Sequence, residues 1–162
     1  MKRLLLILTI ACLSFGAKAQ VRSLGVTVGA YEAVSFQHGV YGTENVFQLD
    51  LGYHTGLPKS GSIRLMGSYN IMLYSPEWTK EGDWNFYVGP GVYLGGGWAE
   101  GKGLTFGVMA VVGLEYLFES IPLQVSADMR PTMGMLLTND MFIYDKDCLL
   151  SLTPTLAVRY MF

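Results

Sequence analysis

The charged residues that could do chemistry in this chain sit on alternating positions of polar–apolar segments. Three are acids, Asp50, Glu115 and Asp128, and three are bases, Arg64, Arg130 and Arg159. Charges enclosed together are costly unless paired, so the six are expected to form a salt-bridge network that fills an interior. A narrow polar solute channel is the alternative use of the same residues. His54 stands near Ser60 and Ser62 across a turn. A histidine that polarises a hydroxyl or water, oriented by an acid, is the machinery of lipid acyl hydrolysis or transfer. A serine meets a histidine across a hairpin often by chance, so the leading expectation is non-enzymatic, with no catalytic residue assigned. His38 falls on an apolar register. Asp140, Asp145 and Asp147 crowd one segment but lack the spacing and closing glutamate of an EF-hand. Gly89-Pro90-Gly91 and Gly95-Gly96-Gly97 precede further strands rather than a helix, which a phosphate-cradling loop requires. No metal and no cofactor are expected.

Side chains alternate faces along a strand, so the residues around these charges define the elements that carry them. In 46–54, Phe47, Leu49, Leu51 and Tyr53 oppose Gln48, Asp50, Gly52 and His54. The same pattern predicts strands over 23–30, 33–41, 46–54, 62–73, 84–95, 104–118, 123–131 and 149–162. Every one has a greasy face and a polar face, and the charges lie on the polar one. Segments of about ten alternating residues separated by turns are the signature of transmembrane strands. The fold class expected is therefore all-β: an eight-stranded antiparallel up-and-down transmembrane β-barrel. With both termini in the periplasm, periplasmic turns fall near 42–45, 75–83 and 119–122. Extracellular loops fall near 30–33, 54–61, 96–103 and 132–147, the last being the longest. Segment 75–83 is long for a periplasmic turn. Pro90 and Pro154 cannot donate to a ladder, and bulges are expected there.

Residues 1–19 read as a cleaved signal peptide: Lys2 and Arg3, then an apolar run over 4–10, then Ala17-Lys18-Ala19. That leaves 20–162 as one barrel domain, and Cys148 as its single cysteine. Without Lys2, Arg3 and Lys18, the 11 basic residues fall to 8 against 13 acidic, a net charge near −5. Nucleic acid is not an expected partner. Half of the chain is hydrophobic (51%) and only 15% is charged, yet no stretch is long and apolar enough for a membrane helix.

Gly113-Leu114-Glu115-Tyr116, Ile121-Pro122-Leu123, Ala127-Asp128-Met129-Arg130-Pro131 and the terminal Ala157-Val158-Arg159-Tyr160-Met161-Phe162 carry a resemblance. The chain resembles the small outer-membrane β-barrel domain proteins of Bacteroidota-type bacteria. The resemblance covers most of the mature chain, its last third most specifically, and it implies location and fold more than activity. It implies the cell outer membrane as location. The partners it implies are outer-membrane lipid, lipopolysaccharide and, during insertion, a barrel assembly machinery that reads Tyr160 and Phe162. A monomer with a structural or surface-interaction role in the envelope is expected. A lipocalin-like periplasmic barrel fits less well, because inward charges would not welcome an apolar ligand.

Overall fold

The computed structural model describes residues 22–29, 32–56, 60–97, 103–137, 142–144 and 154–162. The signal segment and the aspartates at 140, 145 and 147 lie outside the described residues. Ten strand segments are present: β1 (Arg22–Val28), β2 (Glu32–Gly39), β3 (Val46–Gly56), β4 (Ser60–Tyr74), β5 (Asp83–Gly97), β6 (Gly103–Leu117), β7 (Leu123–Met129), β8 (Thr132–Leu137), β9 (Phe142–Tyr144) and β10 (Thr155–Met161). All pairings are antiparallel: β1 to β6 pair in sequence order, β6 pairs also with β7 and β8, β8 with β9 and β7 with β10, and β1–β10 closes the ring.

Ten segments make eight walls. β7 and β8 keep one unbroken register against β6, and between them the Pro131 carbonyl still accepts the Ala110 amide at 3.0 Å. Proline has no N–H to donate, so the strand lapses there only in its own donation. β9 pairs with β8 and β10 with β7 on the far edge of that same strand, so these two share the eighth position. The expected 132–147 loop is corrected accordingly: 132–137 and 142–144 are strand.

The stagger can be read from the pairs. From Val26, pairing one way round runs through Val34, Leu51, Leu65, Leu94 and Phe106 to Met135, and the other way through Val158 to Val125. The mismatch is the ten positions between 125 and 135. With strands about 4.8 Å apart and about 3.3 Å per residue, that stagger tilts the strands by roughly 40° and leaves a barrel roughly 16 Å across, backbone to backbone. Side chains can fill such an interior.

Pro90 sits outward in β5, in straight register with Ala110 of β6. No bulge forms at the proline. Instead the β4–β5 ladder has no pairs at Tyr69 and Asn70, opposite it, and the register shift falls at Met72/Tyr74. Pro154 lies just before β10. The turns at the terminal end are built by local chemistry. In 40–45, Val40 N bonds Asn45 O and Thr43 N bonds Val40 O, with Gly42 at φ +77°. The long 75–83 segment lies at this same end. It is pinned by Trp84 Nε1 donating to Thr79 Oγ1 and by the Tyr116 hydroxyl donating to the Glu81 carbonyl.

The faces are inverted relative to an ordinary core. Among the described residues 17 polar or charged side chains are buried against 8 hydrophobic ones, while the outward positions of nearly every strand are apolar and exposed. No described helix is long and apolar enough to cross a membrane, which says nothing about crossing by strands.

Candidate functional site: the lumen

Alternation turns one residue in two into the barrel, and the polar half of each strand meets there. Arg130 is the centre. Its Nε and Nη2 take both oxygens of Asp128, at 2.6 and 3.0 Å, and its Nη1 reaches Asp50 Oδ2 at 2.6 Å. Asp128 stands on Arg130's own strand, but Asp50 is on β3, four walls away in a ring of eight. The ion pair therefore spans the diameter. A planar guanidinium is suited to this, because its fork binds one carboxylate bidentately and still has donors for another.

Around that centre, polar side chains bond one another in series. Gln48 Nε2 donates to Asp50 at 2.8 Å, which turns its oxygen towards Gln37 Nε2 and Asn70 Nδ2, at 3.0 and 2.9 Å. Ser23 Oγ donates to Gln37 in turn, and the Tyr87 hydroxyl donates to Asp128 at 3.1 Å. Arg159, fully buried, donates from Nε to Ser35 Oγ and from Nη1 to Ser126 Oγ, at 2.9 and 2.8 Å. Glu115 stands apart from these ion pairs. Its oxygens accept from Asn85 Nδ2 at 3.1 Å and from Gln124 Nε2, and Ser75 Oγ donates to Asn85 at 2.6 Å.

On the other side of the network lies an apolar layer of Met66, Tyr87, Tyr93, Met109 and Val111. Arg64 joins this layer, its guanidinium 4.9 Å from the Tyr93 ring centre, a cation–π contact. The rings fit because glycines face them. Tyr87 is paired with Gly113, and Tyr93 with Gly107, which is itself paired with Gly134. A Cβ on Gly134 would stand 1.9 Å from the Tyr93 hydroxyl, and one on Gly113 2.5 Å from the Tyr87 ring. Sequence reasoning missed Met66, Met109 and Val111 as lumen residues. Their parity was the available signal, since each shares the register of the polar positions on its strand.

His54 lies in β3 opposite Ser62 in register, with Gly56 opposite Ser60. His38 is half-buried, its ring stacked 6.5 Å from that of Phe36. Among the described residues no group of three His, Cys, Asp or Glu side chains could hold a metal ion. Tyr160 and Phe162 are exposed on the outer surface beside the β1–β10 seam, where the Phe162 amide donates to the Arg22 carbonyl.

What the geometry defines is a closed eight-stranded antiparallel barrel whose interior is lined by buried, hydrogen-bonding side chains. Comparison with known proteins finds no matching family model, curated protein or solved structure.

Proposed function

We propose that this chain is an integral outer-membrane β-barrel of a Gram-negative envelope, made with a signal peptide over 1–19 and acting as a monomer. Its lumen is filled, and its role is structural or one of surface interaction through its loops rather than catalytic. The observation that carries the reading is the inversion of faces: charge and amides inside, Leu, Val, Ile and Phe outside around the barrel. Monomeric soluble proteins rarely expose contiguous apolar patches of more than a few hundred Å², whereas lipid covers an apolar band of this kind. The family resemblance supports the same location. Lipopolysaccharide and bilayer lipid are then its standing partners, with the exposed aromatic end of β10 read by the barrel assembly machinery. The Arg130 pair across the lumen argues against conduction, because a solute would have to break it.

The test is fractionation of the mature protein, with unheated and boiled samples compared on a gel. Recovery with the outer membrane and a heat-dependent shift in mobility are expected. A stable, detergent-free monomer in the soluble fraction would overturn the reading.

A further inference from the structure

The terminal end of the barrel opens into a vestibule of about 590 Å³, bounded by the 40–45 turn and by Ser75 and Asp83 at its mouth, with Gln37, Asn85, Glu115 and Gln124 deeper in. Among the described residues its acids are Glu44, Asp83 and Glu115, and no lysine, arginine or histidine lines it. The acids do not converge tightly enough to hold a metal ion. They are spread along a space of the size that organic ligands occupy.

Two features at the base call for a ligand of definite chemistry. Glu115 is 3% exposed, and among the described residues no cationic nitrogen lies within ion-pair distance of it. The nearby Arg159 is turned to Ser35 and Ser126 instead. A carboxylate offers about four acceptor positions, and two amide donors occupy only part of that capacity. Gln124, 2% exposed, gives its N–H to Glu115, which fixes the amide and leaves Oε1 without a donor. An unfilled carboxylate beside an unfilled amide oxygen is complementary to a cation with several N–H donors.

We propose that the vestibule binds a primary alkylammonium group, seated between Glu115 and Gln124 Oε1 with the rest of the ligand running past Asp83 and Glu44. An ammonium has three donors and a compact charge on a flexible stem, which suits a buried base, Glu115 and Gln124, reached from an exposed mouth. The group can come from a free polyamine or from a lysine side chain of a peptide. The inference is independent of the membrane location, since it rests on the vestibule alone.

The experiment titrates folded, detergent-solubilised protein at low ionic strength by calorimetry. One arm uses spermidine and the other the blocked tripeptide acetyl-Gly-Lys-Gly-amide, with acetyl-Gly-Gln-Gly-amide as the neutral control. Saturable binding of at least one amine is expected, and the tighter arm identifies the source. Glu115→Gln should weaken binding about tenfold or more, as loss of a hydrogen bond to a charged group implies. Asp83→Asn should weaken it by a smaller factor, because exposed charges are screened, and Glu77→Gln, outside the vestibule, should leave it unchanged. Should Glu115→Gln fail to fold, Asp83→Asn and Glu44→Gln decide by the same criterion. Absence of saturable binding in both amine arms, an equal loss with Glu77→Gln, or displacement by equimolar Mg²⁺ would overturn the proposal.

Discussion

Replacing Arg130 with methionine probes the centre of the lumen directly. Methionine keeps much of the volume but removes all three charge-assisted hydrogen bonds, two to Asp128 and one to Asp50. It also leaves two buried carboxylates on facing walls with no cation bonded to either. Removing one partner of a buried ion pair typically costs about 3–5 kcal/mol, most of it from the stranded charge, and two stranded acids place the expectation at the top of that range. Asp50→Asn should be far milder, about 1–2 kcal/mol, because Arg130 keeps its bidentate partner Asp128. Arg130→Met combined with Asp50→Asn and Asp128→Asn should regain much of the loss, since no charge is then stranded. Denaturant unfolding of protein folded into lipid vesicles measures all three. If Arg130→Met lies within about 0.5 kcal/mol of the wild type, or the triple variant is no better than the single one, water must solvate the carboxylates. The lumen would then be wet rather than filled, and planar-bilayer conductance would become the next measurement.

Leu156→Arg should impair folding into bilayers by about 2–4 kcal/mol if Leu156, exposed near the start of β10, faces lipid at the depth of the midplane. Glu119→Gln, in a terminal-end turn, should change it by no more than about 0.5 kcal/mol. Equal tolerance would remove the lipid from that face. Gly134→Val should destabilise by about 1–3 kcal/mol as an overpacked site, because its new Cβ meets the Tyr93 hydroxyl and ring as well as the Phe106 carbonyl. In a Tyr93→Leu background the same change should cost clearly less, and strict additivity would show that the ring is not the obstacle. His54→Ala should leave lipid A acyl chains unchanged by mass spectrometry, whereas a His54-dependent change would establish an enzyme.

Strand identity and facing were legible because the period of two is unambiguous when one face is Phe47, Leu49, Leu51 and the other Gln48, Asp50, Gly52. Which charges bond which was not legible. Strand order brings β3 opposite β7, but the choice of Asp50 rather than Glu115 for Arg130 depends on the stagger of the ring, and stagger is set by loop lengths and bulges that alternation does not encode. Glu115 ends up among amides because Asn85 is its register partner on β5 and Gln124 lies two positions from its register partner on β7. The expected 132–147 loop contains β8, whose sequence Thr132-Met133-Gly134-Met135 follows a proline and carries a glycine. In the structure Pro131 merely omits one donation, and Gly134 is small because Tyr93 lies over it. Glycine and proline report a local constraint, and both constraints can be met without leaving the sheet.

The position of Arg130 connects the lumen to the wall. Towards β6 the seventh strand is continuous through Pro131. Towards the eighth, the described pairs run from Tyr160 opposite Leu123 to Thr155 opposite Asp128, and from Tyr144 opposite Met135 to Phe142 opposite Leu137. Arg130 sits at the junction of β7 and β8 and is tied across the barrel to Asp50 of β3. A strong bond across the lumen is thereby anchored beside Pro131, the one position of this junction that cannot donate to the ladder, so stability of the wall and filling of the lumen are one feature. That coupling gives Arg130→Met a second signature. Amide exchange should accelerate in 132–137 before it does in β3–β4, because the segment next to Arg130 loses its tie while the long, fully paired ladder of β3 and β4 keeps its own. Uniform acceleration across all strands would show that Arg130 supports the barrel as a whole and has no special hold on this stretch.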